Sequence, residues 1–320
     1  MRMLVLLGLI IVLTCNLSCV EEKSFKNVGV NSDLKEEYQN LSMNLEDLNR
    51  KYIYIYDSRG VDWKTSALIL STVSTDVTGW NYGRKFGVIA GGFIGGFGGI
   101  VPGYYVGGLL GGAVSSAIIY LGNKDIISPN DVYSTVVSVD FSDNFADTLK
   151  IDSLGYYHNL IINELYRDKE KFLKTDLSVD INAVVKEVNN LCNVYGFCEN
   201  KLNSKEISNM IDFNFRLDSI NQLYLTHSID EDSLFSSSIR LLEDFVSLNE
   251  NDYYEYNLIN SKIVSACAVM DPSKLSRYAE DLKEIVSKSN LPIVKKNDLI
   301  VTGVFVVNSA QCTSVKMPLP

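Results

Sequence analysis

The sequence predicts an all-α protein, a multi-helix bundle built around a glycine-zipper helical hairpin. Three observations lead there. Glycine recurs every fourth residue nine times, at Gly79, Gly83, Gly87, Gly91, Gly95, Gly99, Gly103, Gly107 and Gly111. No Asp, Glu, Lys or Arg occurs from Phe86 to Asn123, a run of 38 positions. From about residue 149 onward, apolar residues return again and again at helical spacing.

The chain opens on a targeting segment. Arg2 is followed by an apolar core, Leu4 to Leu13, that is too short to span a membrane as a mature helix. The stretch Asn16-Leu17-Ser18-Cys19 resembles the lipobox of bacterial lipoproteins, although Asn16 stands where leucine is usual. That resemblance implies cleavage before Cys19, which is diacylated and becomes the mature N-terminus. An ordinary cleaved secretory signal is the alternative. Glu21-Glu22-Lys23 resembles the short acidic signals that send some lipoproteins to the cell surface. The expected location is therefore exported and membrane-anchored, in the cell envelope at the outer membrane or the cell surface.

Residues 20–78 carry the first helices. Leu34, Tyr38, Leu41, Leu45, Leu48, Tyr52 and Ile55 follow alternating steps of four and three, a heptad seam. We expect this helix to pack on its own bundle rather than to form a dimeric coiled coil. Trp63 to Val77 reads as an apolar helix leading into the glycine run.

The glycine segment, residues 79–123, is read as a hairpin from length and symmetry. A glycine in a water-exposed helix costs about 1 kcal/mol relative to alanine, so a run this dense needs close backbone packing to offset the penalty, as in small-xxx-small membrane helices. The 38 uncharged residues in one helix would extend about 57 Å, nearly twice a bilayer's hydrocarbon core of about 30 Å. Two arms joined at Pro102-Gly103 fit better, because proline interrupts a helix and glycine accepts a reversal. Gly91-Gly92-Phe93-Ile94-Gly95-Gly96 and Gly107-Gly108-Leu109-Leu110-Gly111-Gly112 lie equally far from Val101-Pro102, which would set Gly95 opposite Gly108. A kinked single helix is the other reading. Such a hairpin either contacts a bilayer or is buried inside a water-soluble bundle; a nucleotide loop lacks both the strand-linked GxGxxG and the GxxxxGK[ST] motif.

Residues 124–148 read as a linker, in which Val132 to Phe141 is rich in β-branched residues. Residues 149–320 read as an acidic α-helical domain. Leu154, His158, Ile161 and Leu165 share one face; Ile181, Val184, Val185, Val188 and Leu191 share another; further helices open near Ser204, Asp232, Asn251 and Pro272. Asp298 to Cys312 is apolar and β-branched, helix or strand.

The chain carries 29 Lys and Arg against 39 Asp and Glu, net −10, and loses one more positive charge with Arg2. An acidic surface without basic clusters argues against nucleic acid and against electrostatic attraction to anionic lipid. The expected partners are membrane lipid, through acyl chains and hairpin, and a protein partner or a second copy. Beyond the leader, Cys192, Cys198, Cys267 and Cys312 form an even set in an exported chain. Cys192 to Cys198 is the simplest bridge, since Gly196 between them offers a helix end; free buried thiols are the alternative.

Catalytic patterns are missing from the sequence. With two histidines there is no HExxH, no Cys-x-x-Cys and no GxSxG, so we expect no enzyme, no metal and no cofactor. Gly155-Tyr156-Tyr157-His158-Asn159 is the most pointed local motif, read as an interior hydrogen-bonded histidine with a ligand contact as the alternative. Glu243-Asp244 and Glu280-Asp281 read as solvated helix faces.

Taken together, the signal cysteine, the glycine repeat over residues 79–115 and the Gly-Tyr-Tyr-His-Asn helix over 154–165 resemble a loose group of uncharacterised bacterial glycine-zipper lipoproteins. The resemblance implies envelope location and small-residue helix packing, and carries no activity. Three functional classes follow: an envelope-anchored, non-enzymatic scaffold or interaction protein; a secreted, bacteriocin-like pore former that inserts the hairpin; and a periplasmic binding module using the tyrosine-rich His158 region.

Overall fold

The computed structural model describes residues 32–57, 63–95, 97–130, 153–197, 204–225 and 254–316, with a few positions between 228 and 241. Among them the helices are α1 (Ser32–Asp57), α2 (Trp63–Gly95), α3 (Phe97–Gly122), α4 (Leu154–Arg167), α5 (Ile181–Val194), α6 (Ser204–Leu225), α7 (Tyr254–Val269), α8 (Leu275–Lys288) and α9 (Ile293–Cys312). The fold is all-α, a multi-helix bundle, as the periodicity predicts. Two short strands, β1 (Ile127–Pro129) and β2 (Thr313–Val315), pair antiparallel and tie the exit of α3 to the end of α9. Cys19, the leader and the Val132–Phe141 stretch lie outside the described residues.

The heptad seam of α1 is used within the chain. Tyr38, Leu41, Leu45, Leu48 and Tyr52 are buried, and α1 packs on α7 and α8. Polar links fix its register: Tyr278 Oη donates to Asn49 Oδ1 at 2.8 Å, Asn49 Nδ2 donates to the Lys262 carbonyl at 3.1 Å, and Tyr52 Oη donates to Asp281 at 2.8 Å.

At the centre, α2 and α3 run antiparallel with their backbones in contact. A Cβ added at Gly79 would lie 2.2 Å from the Gly111 carbonyl oxygen, and one at Gly83 would lie 1.9 Å from that of Gly107. Only glycine permits this approach. The packing of Gly87, Gly91, Gly95 and Gly99 lies outside the described residues, while Gly103 is buried in α3.

The position of the reversal differs from the sequence expectation. The pairs Gly79–Gly111 and Gly83–Gly107 share a mirror centre at Gly95, and α2 ends at Gly95 while α3 begins at Phe97. Pro102 and Gly103 are therefore not the turn; both lie within α3. Gly108 does not face Gly95 either, since its added Cβ would meet Arg84 Cγ and the Trp80 ring, each at 2.8 Å. An interior proline costs about 3 kcal/mol. A reversal at Pro102 would cost more, because it would slide Gly79 and Gly83 past Gly107 and Gly111 and bring side chains into the contact that the glycines keep open.

The described part of the hairpin, up to Arg84 and from Gly103 onward, is covered. Helices α4, α5, α6, α7 and α9 pack against it. Among the described residues only Gly103–Gly122 is long and apolar enough to cross a membrane, and its most apolar window is 89% buried inside the fold. Helix α9 settles as a helix despite its β-branched content, because every residue from Asn297 to Cys312 is buried and packing on all sides overrides local propensity.

Cys192, Cys267 and Cys312 are free and buried, so the expected Cys192–Cys198 bridge is not formed; Cys198 itself lies outside the described residues. The local backbone explains this. Gly196, at φ 87°, closes α5: the Phe197 amide donates to the Cys192 carbonyl at 2.8 Å and the Gly196 amide to Asn193 at 3.0 Å, a Schellman end. Cys192 stays turned into the core, where burial pushes its thiol up to about 12.

Candidate functional site

The chemistry-bearing side chains that the fold gathers form two buried clusters, both binding the hairpin to its cover. The first centres on Asp76 of α2, the lone charged residue between Lys64 and Arg84. Asp76 accepts hydrogen bonds from Ser116 of α3 and Ser309 of α9. Ser116 Oγ also lies 2.9 Å from His158 Nε2 on α4, and His158 Nδ1 lies 3.0 Å from Asn159 Oδ1. Asn159 Nδ2 donates to the Asn308 carbonyl at 2.9 Å.

The Gly155-Tyr156-Tyr157-His158-Asn159 motif is now legible as packing. Gly155, His158 and Asn159 sit three and four residues apart on one face of α4. A Cβ at Gly155 would fall 2.8 Å from Asn308 Cβ, so glycine is what lets α4 come close enough to α9 for the bond from Asn159. His158 is 1% exposed, and its ring lies edge-on to Phe305 at 4.7 Å between centroids.

Matching donors to acceptors fixes where the protons are. Asn159 commits its amide hydrogens to Asn308, so its Oδ1 accepts and His158 Nδ1 must carry the hydrogen. The single hydrogen of Ser116 goes to Asp76 Oδ1 while that carboxyl is ionised, which leaves the 2.9 Å approach of Ser116 Oγ to the bare Nε2 of a neutral His158 without a hydrogen between them. When Asp76 is protonated it can instead donate to Ser116, and Ser116 to His158, a relay that ends at Asn159. Burial raises Asp76 from 3.8 to about 7, against the lowering from its Ser116 and Ser309 bonds, and burial lowers His158 from 6.5 to about 4, so both groups are pushed toward their neutral forms. The Ser116–His158 contact has the spacing of a nucleophile and its base, yet Asp76 holds the serine rather than orienting the imidazole, and all three are at most 1% exposed. What the arrangement does chemically is hold one proton in the core.

The pH dependence follows with its sign. A raised carboxyl pKa means the native state binds the extra proton, so Asp76 favours the fold at low pH and its contribution fades from about pH 4 to 7. A lowered histidine pKa means the unfolded state binds the extra proton, so His158 weakens the fold as pH drops from 6.5 to about 4. Between about pH 4 and 6.5 the two slopes cancel, and the pair leaves stability flat. Denaturant titrations should show this. Each pH unit over which only one of the two states holds the proton changes stability by about 1.4 kcal/mol. Asp76→Asn should therefore lose about 3 kcal/mol on going from pH 6.5 to 4, and His158→Gln about 4 kcal/mol from pH 4 to 7. Flat profiles in both variants would contradict the relay.

The second cluster is an ion pair. Arg84 Nη1 of α2 lies 2.5 Å from Asp298 Oδ1 of α9, with the two side chains 6% and 8% exposed. Tyr104 Oη of α3 donates to Asp298 at 3.1 Å, Tyr256 Oη of α7 and Thr302 Oγ1 of α9 lie 3.2 and 3.3 Å from Arg84 Nη1, and Asn81 accepts from Nη2. The guanidinium also stacks 4.7 Å from the Tyr104 ring centroid. Burial, the largest single influence, would lower the Arg84 pKa, but the Asp298 carboxylate together with Tyr104 and Tyr256 outweighs it and raises the value above the usual guanidinium range. Four helices meet at this one cation.

Sequence reasoning missed Asp76, Ser116, Ser309, Arg84, Tyr104, Tyr256, Asp298 and Thr302. The signal was present. Asp76 stands alone in an apolar helix, while Arg84 lies beside the uncharged run 86–123 and Asp298 directly before the uncharged run 299–315. Ionisable residues at such places are either paired or too costly to bury. No group of three or more His, Cys, Asp or Glu with metal-holding geometry occurs among the described residues.

The chain matches no protein-family model, no curated protein and no solved structure.

Proposed function

We propose that this chain is a lipid-anchored protein of the bacterial cell envelope, acylated at Cys19, whose helical bundle is a non-enzymatic scaffold or interaction module with the glycine hairpin as its core. The observation that supports a resident core over an inserting one is the pair of polar clusters. Asp76 and Arg84 both sit on the hairpin and both find their partners on the covering helices. A hairpin leaving the bundle would strip Arg84 of its buried carboxylate partner, at a cost of several kcal/mol, and Asp76 of its hydrogen bond from Ser309. Lipid enters as a partner through the acyl chains, and a protein partner or a second copy through the acidic bundle.

A secreted pore former is the second reading, favoured by one observation: the apolar hairpin is enclosed by other helices, the arrangement that a release into a target bilayer requires. The binding-module reading needs an accessible His158, and that ring is enclosed.

Intact mass spectrometry of the protein from the membrane fraction tests the proposal. A mature chain beginning at acylated Cys19, which does not release dye from phospholipid vesicles, is the expected result. An unmodified N-terminus on a soluble protein that permeabilises vesicles would replace it with the pore former.

A further inference from the structure

We propose that the end of the bundle where the hairpin reverses is the face that meets the lipid bilayer, end-on, with the hairpin axis steep to the membrane. The inference rests on the lipid-anchored reading above and adds which surface faces the lipid. Three independent features of the chain arrive at this one end.

The first is the hairpin apex itself. Helix α9 runs parallel to α3: Asp298 meets Tyr104, and Thr313 meets Tyr120. The start of α9 therefore lies at the apex end. From Tyr104 back to Phe97, α3 continues about 10 Å, against about 7 Å from Asp298 back to Ile293, so the apex extends farther than the start of α9. This extension, residues 86–101, contains no charged residue. Directly behind it in the sequence stand Lys85 and Arg84, the latter paired with Asp298.

The second is an exposed apolar pair at the start of α9. Ile293 is 54% exposed and Val294 71% exposed, followed by Lys295 and Lys296. Apolar side chains at the end of a helix with lysines directly behind them match the order of hydrocarbon and headgroup in an interface.

The third is the anchor. Helix α8 runs antiparallel to α9, with Ser276 against Gln311 and the Ser287 carbonyl against Lys296. Helix α1 runs antiparallel to α8, with Asn290 bonded to Glu37 and Asp281 to Lys51 and Tyr52. The beginning of α1, Ser32, thus lies at the same end as Ile293 and the apex. Residues 20–31 join it to Cys19. Cys19 stands thirteen positions before Ser32 in the sequence, so the acyl chains belong to the end of the bundle at which α1 begins.

The opposite end is different in kind. There the chain presents Gly122 to Lys124 and Asp125, closed by the β1–β2 ribbon and by Lys316 Nζ donating to the Lys124 carbonyl at 2.8 Å.

The test is photolabelling of the full-length acylated protein in phosphatidylethanolamine and phosphatidylglycerol vesicles containing a diazirine-bearing phospholipid, with adducts mapped by peptide mass spectrometry. Adducts on residues 86–101 and on Ile293–Val294, and none on Gly122–Asp125 or Ser314–Lys316, are expected. Val294→Asp should reduce labelling of its own peptide severalfold with unchanged circular dichroism. Adducts at the ribbon end, or an unlabelled apex, in protein whose Cys19 is shown to be acylated, would overturn end-on docking and leave the anchor standing. If the same sample proves unacylated, the anchored reading falls, and labelling of the apex by the free chain still decides the docking face.

Discussion

Gly83→Ala should destabilise the protein by about 3 kcal/mol or more, among the largest effects a single methyl group can have. The added carbon would lie 1.9 Å from the Gly107 carbonyl oxygen, and the obstacle is backbone, so no rotamer change relieves it. Helices α2 and α3 would have to separate, and the displacement would reach both polar clusters, since Arg84 is the next residue and Asp76 lies about two turns away. Gly79→Ala should behave alike. Gly122→Ala is the control: its added Cβ meets nothing within 4 Å, and at the helix end it should change stability by less than about 0.5 kcal/mol. Urea denaturation followed by circular dichroism reads all three. Equal tolerance of alanine at 83 and 122 would mean that the glycines do not make the contact.

Asp298→Asn should cost about 3 to 5 kcal/mol by leaving Arg84 charged in the core without a carboxylate. Tyr104 Oη would lose its charged acceptor as well. The double variant Arg84→Met with Asp298→Leu should recover much of the loss, because replacing both members of a buried pair by apolar residues removes the desolvation penalty with the attraction. Lys51→Ala gives the comparison. Lys51 also bonds a carboxylate, Asp281, but is 61% exposed, and its loss should cost less than about 1 kcal/mol. Recovery in the double variant distinguishes a buried ion pair from a general intolerance of change at the two positions.

Helical class and most helix positions were legible in the sequence because they depend on local spacing. The seam from Tyr38 to Tyr52 needs no knowledge of the rest of the chain. The reversal was harder. A strictly periodic glycine run is mirror-symmetric about each of its members, so the echo about Val101-Pro102 was only one of several available centres. Gly95, the fifth of nine, is the centre that pairs the whole run with itself, and that is the one the backbone contacts select. Proline's helix-breaking tendency is a single local penalty, while register is decided by every contact along the hairpin.

The polar clusters were illegible for the opposite reason. Asp76 and Ser309, or Arg84 and Asp298, are more than two hundred residues apart, and nothing local names the partner of a lone charge. Sequence shows that an isolated acid in an apolar helix requires a partner; only the packing of α2 against α9 supplies it. The cysteines were misread because an exported chain with an even count favours bridges, whereas the glycine-terminated end of α5 keeps Cys192 inside the core.

Hydrogen exchange of the acylated protein on vesicles tests most directly whether the hairpin is the resident core of the bundle. The amides of residues 299–310 report on it, because α9 is buried, packs on α2 and reaches α3 through Asp298 and Phe305. With a resident hairpin these amides, and those of 105–121, remain among the slowest in the protein with vesicles present and absent alike. Fast exchange across 299–310 on adding vesicles, with 105–121 still protected, would show that the hairpin had left its cover for the bilayer and would contradict a resident core.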